Sequence, residues 1–129
     1  MKRIALLLFL FLLPSVAAAQ WVKVGEVNGT VAYIDPDTVR ETGDAGRVWA
    51  VLDFREGNGS VWSQRVYIEY RCTEAQMKTL AFASFAAPML AGRALQTVNA
   101  ESDWEYIAPR TADRAILDRV CAGRKPNYP

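Results

Sequence analysis

The chain has 129 residues, 51% of them hydrophobic, and its 15 basic and 14 acidic side chains give a formal net charge of +1. This near-neutral balance argues against the strong phosphate attraction of a nucleic-acid-binding domain, so we expect no nucleic-acid partner. The chain contains no histidine, which excludes Ser-His-Asp and Cys-His nucleophile systems and the usual zinc ligands. We therefore expect a protein that is not an enzyme and that carries no cofactor or metal.

The first 19 residues have the pattern of a cleavable signal peptide. Lys2 and Arg3 give a positively charged start, residues 4–13 are almost wholly apolar, and three consecutive alanines then occupy the recognition positions of a signal peptidase. The alternative is a transmembrane anchor, but an anchor needs about 20 apolar residues and this run is about half that length. We expect a signal peptide over residues 1–19, export, and one mature domain over residues 20–129.

Two β-hairpins are predicted in the first half of the mature chain. Asn28-Gly29 separates two β-rich runs, residues 21–27 and 30–34, and Asn-Gly is the strongest short hairpin signal. Residues 47–55 and 61–72 alternate between apolar and polar side chains, which is typical of strands with one buried face. Both hairpin turns also match the glycosylation acceptor pattern, which stays an alternative use of their asparagines.

Residues 74–85 fit either a helix or a strand. Residues 74–78 favour helix by propensity, whereas residues 78–82 also have the composition of a strand. Two further strands are predicted at residues 95–98 and 103–108. The sheet is therefore expected to be antiparallel, because successive strands are joined by short connections.

A C-terminal amphipathic helix is predicted after Pro109, with Thr111 as its N-cap and Gly123 as its end. Residues 125–129 are expected to be a frayed tail. The predicted fold class is α+β, with a single antiparallel sheet of about six strands and this helix packed on one face. The apolar side of the helix comprises Ala112, Ala115, Ile116, Leu117, Val120 and Cys121, and its polar side comprises Asp113, Arg114, Asp118 and Arg119.

The two cysteines are predicted to form a disulfide, since export places the domain in an oxidising compartment. Cys72 lies on the apolar face of the longest strand and Cys121 on the apolar side of the helix, so both thiols point into one interface. The alternative is a redox or nucleophilic cysteine, which would need a Cys-x-x-Cys spacing or a basic partner to lower its pKa. Neither is visible in the sequence.

Three carboxylates, Glu101, Asp103 and Glu105, are spaced by two residues and would share one face of a strand. They could supply oxygen ligands for calcium. Cross-strand ion pairs with Arg65 and Arg71 on a solvated face account for the same pattern without a metal, and we favour them.

A candidate interaction face follows the outward row of the strand over residues 61–72. Ser63 begins this row, and Arg65, Tyr67, Glu69 and Arg71 continue it. Arginine and aromatic residues are enriched at protein interfaces. The alternative is a plain solvated sheet face.

The motifs that carry a family resemblance are, in order, Trp21-Val22, Tyr33-Ile34-Asp35, Arg47-Val48-Trp49, Ser63, Glu69-Tyr70-Arg71-Cys72, Trp104, Pro109 and a final helix that ends at Cys121. Their order and spacing resemble the surface-adhesin protein E family of Gram-negative bacteria. The resemblance implies a sheet of about six antiparallel strands with the C-terminal helix tied to its concave face by a disulfide. It also implies that residues 78–85 are a strand.

The same resemblance implies a homodimer and adhesion to host extracellular proteins such as vitronectin, laminin and plasminogen. One departure concerns the anchor: a lipid-anchored member needs a cysteine directly after the cleavage site, where this chain has Gln20. We therefore expect a periplasmic domain with neither a lipid nor a transmembrane anchor, although secretion or the cell surface stays open. The function expected is protein binding, and the alternatives are a small inhibitor of a hydrolase or an envelope accessory protein.

Overall fold

The computed structural model describes residues 20–122 and residue 124. The predicted signal peptide over residues 1–19, the predicted helix end at Gly123 and the predicted tail over residues 125–129 lie outside this part of the chain.

Antiparallel strands form one sheet in the described residues. Six of them follow the order β1-β2-β4-β5-β6-β7, while β3 lies beside β4 and β8 beside β6. The prediction of a sheet of about six strands is confirmed by this path, to which β3 and β8 are short additions. The bounds are Val22–Val27 for β1, Thr30–Ile34 for β2, Arg40–Thr42 for β3, Ala45–Asn58 for β4, Val61–Arg71 for β5, Gln76–Phe85 for β6, Ala94–Val98 for β7 and Glu105–Tyr106 for β8.

The first predicted hairpin is confirmed, since β1 and β2 pair on either side of Asn28-Gly29. Asn28 has a φ of 50° and Gly29 a φ of 79°. Two consecutive positive φ angles are the requirement of a type I′ turn, whose twist matches that of the flanking strands. The Asn-Gly pair is therefore explained by the turn.

Most of the ambiguous segment is a strand, β6 (Gln76–Phe85), and residues 74 and 75 lie in the turn before it. β6 pairs with β5 along one side and with β7 and β8 along the other, so pairing with neighbouring strands outweighs the helix propensity of its first residues. The predicted strand at residues 103–108 is wrong in length, because only Glu105 and Tyr106 are paired. Before them, the Oγ of Ser102 accepts a hydrogen bond from the N–H of Thr79, and the N–H of Ser102 donates to the carbonyl of Thr79, both at 2.9 Å. These two bonds hold the connection against β6 at this residue.

The sheet has two different faces, which we call inner and outer. The inner face carries the core, and it alternates along β4 and β5 as the sequence predicts. Its fully buried residues include Val48, Ala50, Ile68, Tyr70 and Cys72. The outer face carries the intervening side chains, including those of Trp49 and Tyr67.

The C-terminal helix, α1 (Ala112–Val120), packs on the inner face, mainly over β1, β2 and β4. The Oγ1 of Thr111 accepts a hydrogen bond from the N–H of Arg114 at 3.2 Å, which confirms the predicted N-cap. The approach to β1 is close, because a Cβ at Gly25 would lie 2.7 Å from the Cβ of Ala115. A glycine is therefore required where the helix crosses this strand.

The prediction that Arg114 lies on the polar side of the helix is wrong. The residue is 8% exposed, and its Nη1 donates to the carbonyl of Ile107 at 2.7 Å. Its Nε lies 3.9 Å from the Oδ1 of Asp118. The aliphatic part of a long basic side chain can cover apolar surface while its charged end reaches an acceptor, and a sequence period does not reveal this.

The predicted disulfide is confirmed between Cys72 and Cys121, whose Cα atoms are 5.6 Å apart. Both residues are buried. The bond ties the end of α1 to the end of β5. Since an isolated helix of nine residues is marginal in water, this covalent link and the apolar side of the helix hold it in place.

Candidate functional site

The predicted interaction row lies on the outer face of β5. Alternation along this strand places Arg65, Tyr67, Glu69 and Arg71 opposite to the buried side chains of the core. We use the name outer strip for these four residues together with two tryptophans that contact them, Trp49 and Trp104. Arg65 and Arg71 are exposed, and the other four are partly exposed.

An aromatic stack forms the middle of the outer strip. Trp49 on β4 is the register partner of Tyr67 on β5, and the two rings stack with their centroids 4.8 Å apart and their planes at 16°. The guanidinium carbon of Arg65 lies 5.1 Å from the centroid of the Trp49 ring. This distance is within the range of a cation–π interaction, so the stack and the arginine orient one another.

A second aromatic centre lies at the far end of the outer strip. The guanidinium carbon of Arg71 is 3.9 Å from the centroid of the Trp104 ring, and the Nζ of Lys78 is 5.0 Å from it. Trp104 lies in the connection before β8, outside any strand. Two cations thus contact a tryptophan that the sequence pattern had placed in the predicted strand over residues 103–108.

Glu69 connects the two centres electrostatically. Its Oε1 is 3.0 Å from the Nε of Arg47, and its Oε2 is 3.7 Å from the Nζ of Lys78. Hydrogen bonding to Glu69 raises the pKa of Arg47 further above its ordinary value. The Glu69 side chain is only 15% exposed, and its charge is balanced by these two cations, which flank the outer strip. The exposed charged side chains of the outer strip are Arg65 and Arg71, and the Oε2 of Glu74 lies 3.9 Å from the Nη1 of Arg71.

A hollow of about 430 Å³ lies beside the stack. Its size is within the range of pockets that accept small ligands or side chains of a partner. It is lined by Arg40, Thr42, Ala45, Arg47, Tyr67 and Glu69.

Ser63, predicted at the start of the outward row, is fully buried, so its expected exposure is wrong. Its hydroxyl donates to the carbonyl of Ala87 at 2.7 Å and accepts from the N–H of Leu90 at 2.8 Å. The segment after β6 therefore crosses this end of the outer face and covers it. Alternation gives the side of the sheet correctly but cannot show that a later segment lies over it.

The three candidate carboxylates are not gathered on one strand. Glu101 and Asp103 lie before β8, and only Glu105 belongs to it. Glu101 pairs with the Nζ of Lys78 at 3.1 Å, and the predicted partners Arg65 and Arg71 instead contact tryptophans. Within residues 20–122 and 124, no group of three or more acidic or sulfur-containing side chains has the geometry of a metal site.

Fold and surface together define the class of the protein: a single antiparallel sheet with a disulfide-held helix and an arginine- and aromatic-rich outer face. The sequence pattern of surface-adhesin protein E matches residues 21–122. This match spans most of the chain, and the chain belongs to the surface-adhesin protein E family. Membership of an adhesin family indicates a role other than catalysis.

Solved structures of protein E from Haemophilus influenzae have the same fold. The selenomethionine form is 14% identical, with a TM-score of 0.59 over 86% of this chain and 92% of that chain. Crystal form II is 14% identical, with a TM-score of 0.55 over 80% and 98%. Protein E from non-typeable H. influenzae is 13% identical, with a TM-score of 0.53 over 88% and 86%. No curated protein sequence matches the chain.

In the described part of the chain, no helix is both long and apolar enough to span a bilayer.

Proposed function

We propose that the chain is an exported, non-enzymatic domain that binds a protein partner through the outer strip, and that its role is adhesion to a host extracellular protein. The observation that carries this proposal is the stack of Trp49 on Tyr67 with Arg65 beside it. Tryptophan, tyrosine and arginine are the residue types most enriched among binding hot spots. Here the partial burial of the two rings and the contact with Arg65 reduce the conformational entropy that these side chains would lose on binding a partner.

The test compares two double variants of the mature chain by surface plasmon resonance. Arg65→Ala/Tyr67→Ala removes the centre of the outer strip, and the control Arg93→Ala/Arg119→Ala removes two exposed side chains outside it. Vitronectin, laminin and plasminogen are immobilised as host proteins. We expect saturable binding by the wild-type chain and by the control, and a loss of about tenfold or more in affinity for the outer-strip variant. Equal affinities for the two variants would show that another surface binds.

Hydrolase inhibition and an envelope accessory role are the competing functions. Lysozymes and secreted proteases are added to the same panel, with residual activity as the readout. Binding to host proteins with no effect on any hydrolase supports adhesion. Inhibition of a hydrolase at stoichiometric concentration would contradict adhesion and support hydrolase inhibition as the function.

Export and location are proposals that rest on the signal pattern and on Gln20. We propose cleavage before Gln20 and release into the periplasm. Mass spectrometry of the mature N-terminus and fractionation by osmotic shock test these two steps. An N-terminus at Met1, or a lipid on the mature chain, would contradict them.

A homodimer is proposed from the family resemblance, and sedimentation of the purified domain tests it.

A further inference from the structure

A second hollow, separate from the outer strip, lies on the inner face between α1 and the strands that the helix leaves open. It has a volume of about 250 Å³, and we call it the inner groove. Because α1 packs mainly over β1, β2 and β4, the inner side chains of β5 and β6 form the floor of this groove. Its lining comprises Leu52, Gln64, Val66, Ile68, Met77, Thr79, Phe82 and Asp113.

The lining is apolar except for two polar side chains and one carboxylate. Gln64 is already bonded, since its Nε2 donates to the Oγ of Ser84 at 3.1 Å. Asp113, on the first turn of α1, forms no ion pair with any described residue. The guanidinium of the neighbouring Arg114 bonds the carbonyl of Ile107 and faces Asp118. Among the residues that the structure describes, this carboxylate at the rim of an apolar groove thus has no cation within ion-pair distance.

The charged side chain that shifts the pKa of Asp113 is acidic, and the carboxyl lies at the positive N-terminal end of α1. Burial raises the pKa of this carboxyl, and the charge of Glu105 raises it further. The charge of Asp113 in turn reaches the hydroxyl of Tyr70, whose pKa is raised first by burial and then by Asp113. That hydroxyl is buried and lacks a hydrogen-bond partner among the described residues. A positive group placed against Asp113 would relieve this unbalanced charge.

The groove also extends past the helix. A neighbouring hollow of about 270 Å³ shares Leu52 and Asp113 with it and continues towards Phe54 and Thr30. Asp113 therefore stands between two openings, each of which has apolar side chains in its lining. A ligand can place a charged group at Asp113 and an apolar group on either side of the helix end.

We propose that the inner groove binds a small organic cation, with an ammonium or amidinium group against Asp113 and an apolar ring or chain over Leu52 and Phe82. The apolar lining favours burial of hydrocarbon, and the carboxylate selects for positive charge. The volume fits a ligand of one ring with a short substituent. This site is distinct from the outer strip, so it does not depend on the function proposed above.

The test uses benzamidine and its neutral isostere benzamide, with benzoate as the anionic probe. Binding is followed by NMR through the methyl signals of Leu52 and Val66 and the ring signals of Phe82. We expect saturable shifts with benzamidine, affinity weaker by about tenfold or more for benzamide, and no saturation with benzoate. Equal affinity for benzamidine and benzamide, or shifts confined to residues outside the groove, would overturn the proposal.

Two pairs of variants localise the effect. Asp113→Asn should lower the affinity for benzamidine to that for benzamide, while the exposed control Asp103→Asn should leave it unchanged. Thr79→Phe fills the groove and should abolish binding of both probes. Thr97→Phe makes the same change on the outer side of β7 and should have no effect. Benzamidine binding that survives both Asp113→Asn and Thr79→Phe would assign the cation to another surface.

Discussion

Removal of the disulfide is expected to lower the free energy of unfolding by about 4 kcal/mol. Cys72 and Cys121 are 49 residues apart, and the chain-entropy relation for a closed loop of this length gives that value at room temperature. A typical domain of this size has a total stability of about 5–15 kcal/mol. The double variant Cys72→Ala/Cys121→Ala should therefore lose a large part of its stability, and the short helix α1 should detach first.

Urea unfolding followed by tryptophan fluorescence measures this loss. With a denaturant dependence of about 1–3 kcal/mol per molar urea, the midpoint should fall by about 1–4 M. The wild-type chain in excess reductant is the matched control, because it breaks the same bond without removing the sulfur atoms. It should unfold at nearly the same midpoint as the double variant. A loss below about 1 kcal/mol in both would refute the reasoning that the cross-link acts by restricting the unfolded chain.

Three further changes test the packing and electrostatics of the helix. Gly25→Ala should cost about 1–3 kcal/mol in urea unfolding, because its Cβ would lie 2.7 Å from that of Ala115; an unchanged midpoint would contradict the close approach. Thr111→Ala should cost about 1 kcal/mol by removing the acceptor for the N–H of Arg114, whereas Thr111→Ser should retain most of the stability. The pKa of Asp113 is raised above its ordinary value of 3.8 in the folded state, so the folded chain holds this proton more tightly than the unfolded chain. The free energy of unfolding therefore falls as pH rises from the unfolded pKa to the folded pKa. Asp113→Asn should therefore gain stability relative to wild type between about pH 3 and about pH 7, and a constant difference would contradict the pKa shift.

The local sequence pattern predicted the structure correctly where the side chains of a single strand determine it. Alternation along β4 and β5 predicted the buried side of both strands, and Asn28-Gly29 predicted the first turn. The local sequence pattern was insufficient where the structure of a segment depends on pairing with distant segments. Residues 76–85 are a strand because β5 and β7 flank them, and no local property of that segment encodes its neighbours.

The candidate site was predictable only where its residues belong to a regular strand. The row of Arg65, Tyr67, Glu69 and Arg71 follows from alternation alone. Trp49 also belongs to the outer strip but was not predicted to. The sequence did contain the information, since Trp49 alternates with the buried side chains of β4 and must therefore lie on the outer face. Trp104 carried no such signal, because it lies in a connection and reaches Arg71 only through the folded chain.

The position of the disulfide has a consequence for the order of folding. The strands β4, β5 and β6 are neighbours both in sequence and in the sheet, so they can pair early through short turns. Cys121, in contrast, follows α1 and lies 49 residues after its partner Cys72 at the end of β5. We therefore expect the disulfide to form only once α1 has packed on the sheet, so that the loss of free thiols during refolding would report the packing of the helix.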